Sequence, residues 1–378
     1  MVFSSNDVVF FFGAGASAPF GIPTMKQFVP DFEQHLNENA EKKERELYAD
    51  IKKILETKIH RPPDLEAIFT VIDGIINYDD PEKLGMLSLY FSTEFRKNFP
   101  NTEDVLTSKK LRQKFQAFIK EKCAIPETSY NTIEAVFKDF FNRFALETTP
   151  YAVKSQFAWS NSWTIFTTNY DTCLESYWCE IAGSGVDTNT DWDAQRKAGI
   201  LHPQKILQKG TGEIKLFKLH GSISWHIDEK TNEVIELMER GSSLMGRKYI
   251  GELMLYPIAE KQLYVDPYIS MLLRLNRELE EKNIWVVIGY SFNDPVIQEI
   301  FLKHLSEKKH LILVHPDANE VLNRKFGGTN AKLGALKKRF GLLEAEGMNE
   351  LYSKVNHQIM HEVLGRDPRF KWHEFPKP

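Results

Sequence analysis

The segment Val8-Val9-Phe10-Phe11-Phe12-Gly13-Ala14-Gly15-Ala16-Ser17 constrains this chain more than any other. A run of β-branched and aromatic residues predicts a strand buried on both faces, the kind found in parallel sheets covered by helices. It ends in small residues that let the main chain turn sharply and come close to a ligand. A strand that feeds such a turn and then a helix is how α/β folds hold a nucleotide diphosphate. Amide N–H groups and the positive helix end then face the phosphates. A plain tight turn is the alternative reading of Gly-x-Gly taken alone.

Six short apolar runs have strand length: Val8–Phe12, Trp163–Thr167, Lys215–Leu219, Leu253–Tyr256, Ile284–Ile288 and Leu311–Val314. Helical stretches separate them, which predicts an α/β class protein with a Rossmann-like parallel sheet. Four of these runs end in polar or glycine-rich blocks. The blocks are Gly13–Ser17, Phe166-Thr167-Thr168-Asn169-Tyr170-Asp171, Lys218-Leu219-His220-Gly221-Ser222, and Val286-Val287-Ile288-Gly289-Tyr290-Ser291. They fall at the C-terminal strand ends, where open α/β sheets bind ligands.

In this order and spacing the four blocks resemble the sirtuin superfamily of NAD-consuming enzymes. The first, continuing to Gly21-Ile22-Pro23-Thr24, is similar to the family's Gly-Ala-Gly-x-Ser loop and its Gly-Ile-Pro. The second is similar to its Thr-x-Asn-x-Asp motif, the third to its catalytic His-Gly, and the fourth to its late Gly-x-Ser turn. The resemblance spans about residues 5–320 in outline and the four blocks in detail. It implies a sirtuin-like NAD-binding catalytic domain over 1–320, interrupted by a helical insertion at 31–151 and followed by a C-terminal helical extension at 321–378.

Composition narrows the reading further. Lys and Arg number 48 against 52 Asp and Glu, a formal net charge of −4, which gives no general case for direct nucleic-acid binding. The basic cluster Lys109, Lys110, Arg112 and Lys114 reads as a solvated helix face. No apolar stretch has the length to span a bilayer, and the first residues lack the pattern of a signal peptide, so a soluble, cytoplasmic protein is expected. The three cysteines, Cys123, Cys173 and Cys179, form no Cys-x-x-Cys pair. Protein-deacylating sirtuins carry a structural zinc on two such pairs after the His-Gly motif. Here Ser224–Leu237 reads instead as a hairpin around Asp228-Glu229-Lys230-Thr231-Asn232, so neither zinc nor any other metal is expected.

The stretch from Asp31 to Tyr151 reads as mostly helical. A helix starts near Asp64, with Leu65, Ile68, Phe69 and Ile72 inward, and Ile133, Val136, Phe137, Phe140 and Phe144 form a second stripe. The insertion is expected to pack over the nucleotide site and to gate it. Gly183–Gly199 is polar and glycine-bounded and reads as a surface loop. Its acidic spacing lacks the glycine and closing glutamate of a calcium-binding EF-hand.

NAD's nicotinamide leaves its ribose as a neutral base, so cleavage needs ribose orientation, solvent exclusion and a placed nucleophile rather than a metal. The resemblance makes Asn169 the residue that positions ribose and water; a strand-end cap is the other reading. His220 becomes the general base, with a structural histidine as the alternative. Asp171 steadies the cationic ring or its own loop, or caps a helix. Gly13, Ala14, Gly15, Ala16 and Ser17 are expected at the diphosphate, Thr24 after Gly-Ile-Pro, and Thr168, Gly289 and Ser291 at the ribose or diphosphate. Asn293 and Asp294 read as caps of a helix from Pro295 onward, and His202, His226 and His315 as surface or core residues. Two departures weigh against the deacylase branch: the missing zinc module, and Met25-Lys26 where deacylases continue with Phe-Arg. Thr168 also replaces their usual Gln.

The blocks, the insertion and the segment Pro63–Phe69 resemble the sirtuin-fold effectors of prokaryotic antiphage defence. That implies an NAD glycohydrolase (NADase) releasing nicotinamide and ADP-ribose, with cyclisation as a possible second product. It also implies self-assembly and a separate activating partner, a HerA-type ATPase or a short Argonaute. NAD is the substrate, and no other cofactor is implied. The rival readings are an NAD-dependent deacylase or ADP-ribosyltransferase, and a non-catalytic nucleotide-binding assembly subunit.

Overall fold

The computed structural model describes residues 8–59, 63, 65–77, 97–99, 101–141, 164–177, 186–193, 198–208, 214–237, 248–254, 266–306, 309–326 and 341–343. The chain divides into two compact units. One comprises residues 1–22, 125–253 and 264–378, and the other residues 23–124 and 254–263.

The first unit is built on a seven-stranded sheet whose pairings are all parallel. Its strands, across the sheet, are β12 (Gly341–Leu343), β11 (His310–Val314), β10 (Ile284–Ile288), β1 (Val8–Phe12), β2 (Thr164–Thr167), β6 (Ile214–Lys218) and β3 (Val186–Asp187). Every residue of β1 and β10 is buried, as runs without alternation require. One face packs Phe11, Phe166, Phe217, Trp285 and Val287 against helices Tyr268–Glu281 and Pro295–His304. On the other side Phe20 meets Phe137 of helix Tyr130–Phe141, with ring centroids 5.0 Å apart.

A second, five-stranded sheet runs β4 (Thr190–Asp193), β5 (Ala198–Leu201), β8 (Val234–Leu237), β7 (Gly221–Asp228) and β9 (Tyr249–Met254). The expected hairpin is present: Asp228 Oδ1 accepts from the amides of Lys230 (2.9 Å) and Thr231 (2.8 Å), and Asn232 takes φ 54°. Three expectations are corrected. The run Leu253–Tyr256 does not join the parallel sheet; its described part ends β9 in this second sheet. The polar stretch Gly183–Gly199 is not a surface loop in its described part. It contributes β3 and β4, and Asn189 is fully buried between them, donating to Leu216 O at 3.2 Å. Within 321–378, expected to be helical, Gly341–Leu343 is a strand paired in parallel with β11. The helix Ala318–Phe326 enters that region, and the rest of it lies outside the described residues.

The other unit is helical, with helices Met25–Asn39, Lys42–Ile59, Leu65–Asn77 and Thr102–Cys123. Phe28, Phe32, Phe69, Phe115 and Phe118 form its aromatic centre; Phe32 and Phe115 meet edge to face at 4.7 Å. Ile68, Phe69 and Ile72 are inward, while Asp64 lies outside the described residues. The first segment of this unit runs from Pro23 to Ala124, and residues 254–263 also belong to it. Helix Tyr130–Phe141 groups with the sheet unit because Phe137 packs on Phe20 and Ser129 Oγ donates to Phe20 O at 2.8 Å. Phe144 lies outside the described residues. No helix among the described residues is long and apolar enough to cross a membrane.

Candidate active site

The loops that carry the four blocks leave one edge of the parallel sheet. The register pairs Phe12 with both Thr167 and Ile288, Thr167 with Lys218, and Ile288 with Val314. Gly13, Thr168, Leu219, Gly289 and His315 are therefore each one step beyond a common row, at the C-terminal strand ends. Backbone bonds stitch this edge: Thr168 N–H donates to Phe12 O (3.2 Å), Leu219 N–H to Thr167 O (2.8 Å) and Gly289 N–H to Val314 O (2.8 Å).

The glycines make the stitching possible. Gly13 N–H donates to Ile288 O at 2.9 Å and Gly15 N–H to Gly289 O at 3.0 Å. A Cβ on Gly13 would lie 2.6 Å from Gly289 O, and one on Gly289, itself at φ 65°, would lie 2.4 Å from Ala16 N. Two loops thus pack backbone against backbone, which only glycine permits. The amides of Gly13, Gly15 and Ala16 donate to Ile288 O, Gly289 O and Gly13 O, which fixes the shape of the loop expected at the diphosphate. The helix that follows, Ala14–Ser17, is a single turn.

Asn169 is drawn into the same assembly. Its Nδ2 donates to Gly13 O at 2.9 Å and to Ser17 Oγ at 2.8 Å, and its backbone amide donates to Thr167 Oγ1 at 3.0 Å. Both amide hydrogens are used, which leaves the carbonyl oxygen as the group able to accept from a hydroxyl or water. Asp171 is buried and accepts from Cys173 N–H at 3.1 Å, a cap-like contact at the short helix Cys173–Ser176. Thr24 belongs to the helical unit, where it starts helix Met25–Asn39. Its amide and hydroxyl donate to Gln27 Oε1 at 2.8 and 2.9 Å.

His220 sits between β6 and β7, and Gly221 after it takes φ 82° to turn the chain. The imidazole is largely buried, its Nε2 3.1 Å from Asp294 Oδ2. Asp294 caps helix Pro295–His304 as expected, through bonds from the amides of Val296 (3.0 Å) and Ile297 (3.3 Å) to Oδ1. Its second oxygen, toward His220, is what the sequence did not show. Ser291 Oγ lies 3.0 Å from His315 Nε2, and His315 Nδ1 accepts from Asp317 N–H at 2.9 Å. His315 follows β11 as Gly289 follows β10, and that positional match sets it apart from the surface or core role expected of it.

Behind these loops lies a buried charged cluster that the motifs do not contain. Lys218 Nζ donates to the backbone carbonyl of Asp171 and, at 2.8 Å, to Glu175 Oε1, with both side chains 1% exposed. Burial raises the Glu175 carboxyl, against the pull of Lys218. Glu236, also buried, accepts from Thr188 Oγ1 at 2.5 Å; burial and then the nearby Glu175 push it up to about 7. The only hint of this cluster in the sequence is the pair of lysines, Lys215 and Lys218, in a strand that is otherwise apolar. Cys173 lines the same region, and burial, then Asp171, hold its thiol well above the ordinary range, so it is no thiolate nucleophile. A cavity with room for about one water molecule is lined by Ser17, Thr167, Asn169, Asp171, Cys173 and Glu175, among others. Among the described residues no group of His, Cys, Asp and Glu could hold a metal ion. Cys179 lies outside them.

Residues 164–333 match the profile of a family described as a SIR2-like domain. The match begins at β2 and takes in Asn169, His220, Gly289, Ser291 and Asp294; the Gly13–Ser17 loop precedes it. No curated protein matches the chain. Among solved structures, the chain is similar to one described under the mechanism and regulation of Sir2 enzymes. Identity is 14% over 95% of this chain and 92% of that one, with a TM-score of 0.36. It is also similar to a Sir2 homolog–NAD complex, at 15% identity over 92% and 88% of the chains, TM-score 0.34. Residues 164–333 are thus similar to a SIR2-like domain, and the chain has a mixed α/β fold built on a parallel sheet.

Proposed function

We propose that this chain is an NAD glycohydrolase, producing nicotinamide and ADP-ribose, and that it serves as a regulated effector of prokaryotic antiphage defence. The observation that carries the reading is the convergence of the Gly13–Ser17 loop, Asn169 and the His220 block at one sheet edge in a SIR2-like domain. In the reaction, the bond between the ribose anomeric carbon and the pyridinium nitrogen breaks. Its electron pair returns to the ring, and nicotinamide leaves neutral. Water oxygen bonds to the anomeric carbon, and the water's proton passes to His220 and then to solvent. Asn169, whose amide hydrogens are spent on Gly13 and Ser17, is pre-organised to offer its carbonyl oxygen to a ribose hydroxyl or the attacking water. Asp171, buried beside this point, steadies the cationic ring or its own loop.

Activation is part of the proposal. A resting form that opens on assembly would keep such an effector inactive until its partner engages. We assign that assembly to self-association with a separate partner, a HerA-type ATPase or a short Argonaute, in the cytoplasm. A hundredfold activation needs only about 2.7 kcal/mol of differential binding between closed and open forms. The test incubates the purified chain with NAD alone across a wide concentration range, then with the ATPase or Argonaute encoded beside it. Low nicotinamide release alone and strong release in the assembly support the reading. Release that requires an acyl-lysine peptide would make it a deacylase, and NAD binding without release a non-catalytic subunit.

A further inference from the structure

Helix Pro295–His304 begins with a carboxylate that does two jobs. Asp294, 5% exposed, gives Oδ1 to the amides of Val296 and Ile297, and Oδ2 lies 3.1 Å from His220 Nε2. The loop that delivers it is held in place. Phe292 takes φ 54°, a conformation a bulky residue adopts only when its surroundings enforce it. Its fully buried ring is enclosed by Tyr290, Phe301 and Phe326, at centroid distances of 5.1, 5.1 and 4.9 Å. Pro295 fixes the first helical residue.

An aspartate at neutral pH only accepts hydrogen bonds, so the proton shared with His220 belongs to Nε2. In the neutral imidazole Nδ1 is then the basic nitrogen. We propose that Asp294 is a positioning residue for His220: it fixes the Nε2–H tautomer and the ring plane, so that Nδ1 takes the proton during NAD cleavage. The catalytic consequence rests on the reading of the reaction given above; the tautomer does not. A carboxylate that orients a histidine through its second nitrogen and supports the imidazolium that forms is an arrangement found in hydrolases of unrelated fold.

The experiment uses the full chain labelled with 15N-histidine and two-bond proton–nitrogen correlation spectra at neutral pH, the His220 signals being assigned by their loss in His220→Ala. The parent should show His220 protonated on Nε2. Asp294→Asn keeps an N-cap of equal quality but can turn an N–H toward Nε2, so the tautomer should reverse to Nδ1–H. In the partner-activated assembly the same variant should cleave NAD at least ~100-fold more slowly, with KM little changed. Asp294→Ser, which caps the helix and lacks the reach to His220, should leave a mixture of tautomers and a smaller rate loss. An Nδ1–H tautomer in the parent, or an unchanged Nε2–H signal in Asp294→Asn, would overturn the proposal. A protein with the expected tautomers that releases no nicotinamide would retire the reaction and leave the hold of Asp294 on His220 standing.

Discussion

Asp294 and Glu236 are both buried carboxylates of the sheet unit, and their surroundings are opposite. Asp294 receives two helix amides and the imidazole of His220. Glu236 receives the Thr188 hydroxyl, has the Trp225 side chain opposite it on β7, and lies near a second acid, Glu175. Donors at a helix start stabilise a charge and let it organise a neighbour. An acid buried away from water and beside another acid keeps its proton toward neutrality instead. The first arrangement faces the sheet edge where chemistry is proposed, whereas the second lies behind it and shapes stability. The lysine between Glu175 and the Asp171 carbonyl ties the Asn169–Asp171 loop to β6.

The comparison breaks most sharply at the reactive edge. Asn169→Ala should lower NAD cleavage by ~10³-fold or more while NAD affinity is largely kept, since orientation counts most in the transition state. Turnover in the activated assembly, set beside NAD binding by calorimetry, checks it; parent-like turnover would remove Asn169 from the site.

Next in size is the charged cluster. Lys218→Met strands Glu175 in the interior and should cost about 3–5 kcal/mol in denaturant unfolding. Adding Glu175→Gln should recover part of that loss. If the double variant were as unstable as the single one, the ion pair would not be the cause.

Glu236→Gln should give a smaller, pH-dependent effect. The folded carboxyl titrates near 7 and the unfolded one near its ordinary 4.5. Between those values only the folded state holds the proton, so the parent loses stability as pH rises, by about 3 kcal/mol in all. The variant should match the parent's stability trend below pH 4.5, gain on it up to about 7 and hold that gain above. A constant difference across the range would show that Glu236 is not the titrating group.

The smallest expected effect is none. Chelators should change neither the melting temperature nor turnover, because the chain's three cysteines cannot form a four-cysteine zinc site. One equivalent of zinc per chain by elemental analysis would contradict that.

What could be read from the sequence follows a physical divide. The strands β1 and β10 announce themselves because burial on both faces demands unbroken apolar runs, while β2, β6 and β11 are read from apolar stretches with polar residues among them. The loops after them are marked by glycine and by Asn169 and His220. The strands β3 and β4 stayed hidden in a polar stretch because Thr188, Asn189 and Thr190 are buried with hydrogen bonds to side chains and a carbonyl. The glycines were visible, but their task was not: which atom a Cβ would strike depends on β10, remote in sequence. Asp294 was legible as a helix cap, since caps are local; its approach to His220 bridges residues far apart in the chain.

The central claim is that this sheet edge cleaves NAD with His220 as the base. Its most direct measurement is nicotinamide and ADP-ribose formation by the parent and by His220→Ala, each assembled with the activating partner. The account predicts equal amounts of the two products from the parent and a loss of ~10³-fold or more in the variant. Equal rates from the two proteins, or no nicotinamide from the assembled parent, would contradict it.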